Sequence, residues 1–253
     1  MIRRMIFVLG LALAGQLHAA WTLGPIRELG SLGGSATAWE REATQGDRRV
    51  RISGVTFSDR QATFQVIDNP PDARVSLSEA LKKAGAVAGI NASYFHPDFT
   101  PLGLTVSQGK TIHAYEKAKL LSGLLLVQKG RIELIRASSP GSASHEQALQ
   151  AGPWLVEKGT PIATLNAEKL ARRSVIITDG KGHWGIVALS SASLTETAAI
   201  LAQPGFAGSW SVRDSLNLDG GSSTALTAFA NGQSVISIPS FGPVRNYLAI
   251  VPR

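Results

Sequence analysis

Asp219 stands in the stretch of this chain with the clearest chemistry, Leu216-Asn217-Leu218-Asp219-Gly220-Gly221-Ser222-Ser223-Thr224-Ala225-Leu226. Strand-type residues run into an acid, two glycines and three hydroxyls, and apolar residues then resume. A strand that ends this way leaves the carboxylate at its mouth. The glycines permit positive φ, so successive N–H groups can point into one hollow. Hydroxyls beside that hollow add donors suited to an oxyanion such as phosphate. Read alone, the same residues are a tight turn between two strands. Three other segments lead to the same chemistry.

Gly89-Ile90-Asn91-Ala92-Ser93-Tyr94-Phe95 empties a short apolar run into an amide, two small residues and two aromatics. An amide grips sugar hydroxyls through a paired donor and acceptor, and a ring covers the apolar face of a pyranose. Asn91 and Tyr94 are the candidates for that work. Arg173 opens one expected strand and Arg245 lies just before another, in Gly242-Pro243-Val244-Arg245-Asn246-Tyr247. Such an arginine offers a planar fork matched to two oxygens of a phosphodiester. His96 and His113 lack the i, i+4 spacing of a helical metal pair. No metal site or cofactor is expected, although calcium at a carboxylate such as Asp179 or Asp219 stays open. Asp179 is the second candidate carboxylate, but Asp179-Gly180-Lys181-Gly182 reads as a hairpin turn.

Taken together, these segments resemble the phosphodiester glycosidase family, the domain of the enzyme that uncovers mannose 6-phosphate. The resemblance spans roughly residues 50–253. It rests on Asn91-Ala92-Ser93-Tyr94-Phe95, Pro101–Leu104 with Gly109-Lys110, Gln150-Ala151-Gly152-Pro153, Arg173, Asn217–Thr224 and Pro243–Asn246, in that order. Ala92 and Ser93 stand where the family has two glycines, and Ser222 where it has a third. These changes are expected to narrow the pocket or alter the sugar it accepts.

The resemblance implies hydrolysis of a sugar-1-phosphodiester, typically of N-acetylglucosamine, at the sugar-to-oxygen bond. Phosphate is a good leaving group, so stabilising its charge matters more than a strong general acid. A carboxylate must face the oxocarbenium-like centre or activate water. Asp219 takes that role, as nucleophile or base, and Arg173 and Arg245 hold the phosphate. Asn91, Tyr94, Gly220, Gly221, Ser222, Ser223, Thr224 and Asn246 complete the expected substrate-binding set. Two competing readings are a non-catalytic glycan-binding or exopolysaccharide-assembly module of the envelope, and a phosphoesterase that cuts the phosphorus–oxygen bond.

Composition sets the context. Residues 1–20 read as a secretory signal peptide, with Arg3-Arg4, an apolar run from Met5 to Ala14, and Leu17-His18-Ala19-Ala20. The run is too short for a permanent membrane span, so no stable membrane anchor is expected after cleavage. The product would be periplasmic or secreted. There are no cysteines, which excludes disulfides and thiol chemistry. Formal charge is +7, two of those charges lying in the leader. That surplus suits anionic glycans or envelope surfaces. The basic residues are scattered without interleaved aromatics, which argues against nucleic acid.

The elements that must hold the site read as α+β: a single domain with a mixed, largely antiparallel sheet flanked by a few helices. Residues 21–48 read as an irregular N-terminal segment and 49–253 as the catalytic-type domain. Val50–Val55 with Thr63–Ile67 reads as one hairpin, Leu121–Gln128 with Arg131–Arg136 as a second, and Ser174–Thr178 with Trp184–Leu189 as a third. Helices are expected at Ser76–Ala84 and Ser193–Gln203, with a helical turn at Ser144–Gln150. Ala86–Ile90 reads as a buried strand, Ser138–Ser144 as a loop and Tyr247–Val251 as the last strand.

Overall fold

The computed structural model describes residues 20–138 and 145–253. The expected leader lies outside them, Ala20 apart, as does most of the expected 138–144 loop. In chain order the described residues form β1 (Thr22–Leu23), β2 (Arg27–Gly33), β3 (Ala36–Gln45), β4 (Arg48–Ser58) and β5 (Ala62–Asp68), then helix α1 (Leu77–Lys83). There follow β6 (Ala88–Asn91), β7 (Thr105–Ser107), β8 (Lys110–His113), β9 (Gly123–Gln128), β10 (Arg131–Arg136) and β11 (Gln147–Ala151). Next come β12 (Trp154–Glu157), β13 (Thr160–Pro161), β14 (Ala171–Thr178), β15 (His183–Ala192), helix α2 (Leu194–Leu201) and β16 (Asp214–Asn217). The chain closes with β17 (Leu226–Ala230), β18 (Gln233–Ile238) and β19 (Asn246–Pro252).

These strands make three sheets. The first runs β1-β3-β4-β15-β14-β16-β12-β13, with β2 also on β3; the second runs β10-β9-β11-β7-β8; the third runs β18-β17-β6-β19-β5. Every pairing is antiparallel. The molecule is therefore richer in β-structure than the α+β reading, and its two helices are accessories. One core joins the three sheets through Val55, Phe64, Ile90, Leu125, Trp154, Ile176 and Leu248. A second core lies on the outer face of the first sheet, where Val175, Ile177 and Val187 meet Ala198 and Leu201 of α2. Helix α1 covers the third sheet with Leu77 and Leu81.

Both helices start as their sequences dictate. The Ser76 hydroxyl accepts from Glu79 N at 3.2 Å. Ser193 and Glu196 form a reciprocal capping box at α2. The second and third hairpins form, around Lys129-Gly130 and Asp179–Gly182. Three other expectations are corrected. Residues 21–48 are mostly strand: Gly33 and Gly34 adopt positive φ and turn the chain, and Ala38, Trp39 and Ala43 then bury from β3. The first hairpin does not form. β4 pairs with β3 and β15, whereas β5 pairs with β19 in another sheet. The Ser58–Gln61 turn is a corner between sheets, across which the Phe57 and Phe64 rings meet edge to face at 5.0 Å. Residues 147–151 form a strand, β11, because Ala148, Leu149 and Gln150 are buried in the second sheet.

Gly54 marks how closely the first sheet packs. A Cβ there would lie 2.4 Å from Cζ2 of the buried Trp39 indole. Gly54→Ala is expected to cost about 2 kcal/mol, in the range of overpacked core substitutions. A urea midpoint equal to that of the parent protein would contradict this packing.

Candidate active site

Asp219 sits where the first and third sheets are stitched together. β14 and β16 pair with Val175 opposite Asn217. Past the end of that ladder, Leu218 N donates to Ser174 O at 2.8 Å. Asp219 N then donates across to Ala92 O, just beyond β6, at 2.9 Å. The backbone at the carboxylate is thus fixed from both sides.

The carboxylate has its own supports. Gly220 N donates to Asp219 Oδ1 at 2.8 Å, and the Ser223 hydroxyl donates to the same carboxyl group. Burial nevertheless dominates and raises its pKa above the ordinary value of 3.8, against the pull of those two donors. A partly desolvated carboxylate with a raised pKa is a stronger base and nucleophile than one in water. If turnover requires the anion, kcat/KM falls on acidification through a pKa above 3.8. A pH–rate profile whose acid limb lies at or below the ordinary aspartate range would contradict this assignment.

Tyr94 stands beside it, and the charges of both Asp219 and Arg173 reach the Tyr94 phenol. The Tyr94 hydroxyl donates to Gly152 O at 2.7 Å and accepts from Asn217 Nδ2 at 2.8 Å. Burial first, and then the negative charge of Asp219, push this phenol well above its usual range. It stays a neutral donor at neutral pH. Arg173 shares a face of β14 with Val175 and Ile177. Its Nε donates to Ala192 O at 2.8 Å and one Nη to Lys169 O at 2.6 Å. Burial lowers this guanidinium from its ordinary value, while Tyr94 and Glu196 pull it up. Its charge has no carboxylate in direct contact among the described residues.

The glycine-rich loop is narrower as an oxyanion hollow than its sequence implies. The N–H of Gly220 is taken by the carboxylate, that of Ser223 by Gly220 O, and that of Thr224 by Gly221 O. Gly221, at φ +62°, turns the chain so that its own N–H and that of Ser222 find no acceptor among the described residues. Those two donors remain for a ligand. Ser222 is exposed, and its carbonyl accepts from Phe241 N at 2.7 Å.

Four expected substrate contacts are corrected. Asn91 is fully buried: its Nδ2 donates to Asp219 O at 2.7 Å, and its Oδ1 accepts from Ser174 Oγ at 2.6 Å and Ala225 N at 3.0 Å. It holds the Asp219 loop, and at 0% exposure it is out of reach of a sugar hydroxyl. Asn246 is likewise buried, with both amide atoms spent on Ser93 at 2.7 and 2.8 Å. Arg245 is 6% exposed and pairs with Asp68 at the end of β5, rather than with Arg173 or Asp219. Thr224 is buried, and its carbonyl is held by Arg172. Ala92 and Ser93 are buried too. Asp179 is an ordinary turn acid, accepting from Lys181 N, His183 N and the His183 ring. Among the described residues no three His, Cys, Asp or Glu side chains converge as a metal-binding group.

Asn217 and Ser174 were not among the expected residues. Asn217 is the last residue of β16, two before Asp219, and its place in the Asn217–Thr224 motif was the available signal. Ser174 carried none.

The structure therefore presents a carboxylate, a phenol and a guanidinium on an all-antiparallel β scaffold, which is hydrolase-type chemistry. The chain belongs to the phosphodiester glycosidase family, whose model (NAGPA: Phosphodiester glycosidase) matches residues 84–251. Among solved structures it is similar to the zebrafish N-acetylglucosamine-1-phosphodiester alpha-N-acetylglucosaminidase catalytic domain auto-inhibited by pro-peptide. That match has a TM-score of 0.62 and 16% identity, covering 94% of this chain and 86% of that one. It is also similar to a hypothetical protein from Synechocystis, with TM-score 0.61 and 18% identity, covering 91% of this chain and 64% of that one. No curated protein sequence matches. Identities this low speak for the fold alone.

Proposed function

We propose that this protein hydrolyses the sugar-to-oxygen bond of a sugar-1-phosphodiester, releasing a reducing sugar and a phosphomonoester. The observation that carries the reading is the desolvated Asp219 carboxylate at a strand mouth, with the Tyr94 phenol within the field of both Asp219 and Arg173, and two unused N–H groups in the same loop. Asp219 acts on the anomeric carbon, directly or through a water it deprotonates. One oxygen from water ends on the sugar, and the bonding pair of the broken C–O bond leaves with the phosphate. The Arg173 guanidinium and the N–H groups of Gly221 and Ser222 stabilise the charge that develops there. Tyr94 bounds the sugar side, its hydroxyl held by Gly152 and Asn217. Asn91, Asn246 and Arg245 are positioning residues in this scheme.

N-acetylglucosamine is the sugar carried over from the family and from the zebrafish neighbour's name. Export to the periplasm or medium is part of the proposal and rests on the N-terminal sequence. Among the described residues no helix is long and apolar enough to cross a membrane. The mechanism uses no metal. Turnover in EDTA is expected to match turnover with added calcium within about twofold; a tenfold loss in EDTA would assign a cation to Asp219. The function itself is tested by incubating the protein with a methyl phosphodiester of N-acetylglucosamine. Equimolar reducing sugar and methyl phosphate are expected. Tight binding with no product would favour the glycan-binding reading instead.

A further inference from the structure

A cavity of about 760 Å³ lies apart from Asp219, which is not among its lining residues. It lies between the first sheet and the β17–β18 edge of the third, lined in part by Arg41, Arg51, Arg172, Thr224 and Phe241. Its size falls in the range of small-molecule sites. Arg172 and Arg173 leave β14 toward different partners: Arg173 to Lys169 and Ala192, Arg172 to the carbonyls of Thr224 and Pro239. The cavity meets the Asp219 loop only at its end, through Thr224.

Three features of the cavity lack a protein counterpart. Arg51 is exposed, and its side chain makes no hydrogen bond or ion pair with the described residues. Arg41 and Arg172 donate only to carbonyls, and neither forms an ion pair among the described residues. Buried polar atoms are left over as well: Arg41 Nε and the Oγ1 of Thr224, itself 1% exposed, have no partner. The two acids that line it are already matched, Glu40 by Arg27 at 2.5 Å and Glu42 by Arg49 at 3.1 Å. The cavity therefore carries a surplus of positive charge. At its rim Phe241 is 79% exposed, with the Arg172 guanidinium 4.4 Å over one ring face. An exposed ring braced by a guanidinium is a platform for the apolar face of a sugar.

We propose that this cavity is a second binding site, separate from the Asp219 site, for an anionic saccharide whose carboxylate or phosphate pairs with Arg51 and Arg172 while a pyranose stacks on Phe241. A bidentate guanidinium contact suits either anion. The site anchors an acidic glycan to the protein whether or not that glycan is cleaved.

The test is equilibrium binding by calorimetry on the full chain, with tetragalacturonate, mannose 6-phosphate and neutral maltotetraose as probes. At least one acidic probe is expected to bind, and which one does tells a carboxylate ligand from a phosphate ligand. Maltotetraose should bind at least tenfold more weakly. Arg51→Glu and Phe241→Ala, both at exposed positions, should each weaken the acidic probe at least tenfold, with unchanged circular dichroism. Asp219→Asn should leave it within twofold. The proposal is overturned if neither acidic probe binds, if the neutral sugar binds equally well, if the two cavity variants bind like the parent, or if Asp219→Asn abolishes binding. Failure of the hydrolysis assay would leave all of these readouts intact, so the two readings fail separately.

Discussion

Replacing Asp219 with Asn lowers turnover of a sugar-1-phosphodiester by a factor on the order of 10³, within the span measured for loss of a positioned base. The amide keeps the size of the carboxylate and still accepts from Gly220 N and Ser223, so the loop stays in place. What is lost is the charge facing the anomeric carbon. The stability of this variant runs the other way. In the folded protein the Asp219 pKa lies above 3.8, so the fold holds that proton more tightly than the unfolded chain does. Its contribution to stability is fully present below the unfolded pKa and is lost as pH rises through the folded one. At pH 7 the buried charge is a net cost, and Asp219→Asn melts at or above the parent. Loss of activity without loss of Tm separates a catalytic acid from a structural one. A variant that retains more than a tenth of the parent rate would remove Asp219 from the chemistry.

Asn91→Ala has the second large effect, and it is structural. One side chain satisfies Asp219 O, Ala225 N and Ser174 Oγ, all at or near full burial. Truncation leaves these groups without partners in a space too small to admit water freely. Each buried unsatisfied group costs about 1–3 kcal/mol, and the combined loss is expected near ~3 kcal/mol because Ser174 can rotate to another acceptor. Turnover falls with it, since the Asp219 backbone loses one of its two cross-sheet ties. Ser174→Ala removes a single bond and should cost about 1 kcal/mol. Chemical denaturation reads both values. An Asn91→Ala protein as stable as Ser174→Ala would mean that the amide does not hold the loop.

Some of this architecture was legible in the residues. Ser76 and Ser193 announced both helices, because capping is local and written in adjacent positions. The Lys129-Gly130 and Asp179–Gly182 turns announced two hairpins for the same reason. Pairing between distant segments was not legible. Nothing in Thr63–Ile67 says that it joins the C-terminal strand rather than the strand just before it. Phe64, edge to face with Phe57 of β4, and Val66 instead join Val55 in the core between the sheets. Residues 21–48 looked irregular because their buried residues serve two faces: Leu32, Ala36 and Ala38 enter the core between the sheets, whereas Trp21, Trp39 and Ala43 pack on the outer face of the first sheet, so no simple alternation shows.

The site divides the same way. Asp219 and its glycines could be found because a strand-end acid has a sequence signature. Polarity alone misplaced Asn91 and Asn246: a buried amide and a ligand-binding amide look alike until their partners are counted. Arg173 and Arg245 both lead strands, yet one has a guanidinium free of carboxylate contact and the other is tied to Asp68. Arg172, by contrast, looked like an ordinary neighbour of Arg173. Alternation along β14 sends it into the separate cavity.

Hydrolysis of a sugar-1-phosphodiester in ¹⁸O-labelled water, followed by mass spectrometry of both products, bears most directly on the claim that Asp219 works at the anomeric carbon. One labelled oxygen in the released sugar, and none in the phosphomonoester, is the predicted result. Label in the phosphomonoester would mean that water attacks phosphorus, and the carboxylate would then have no carbon to act on.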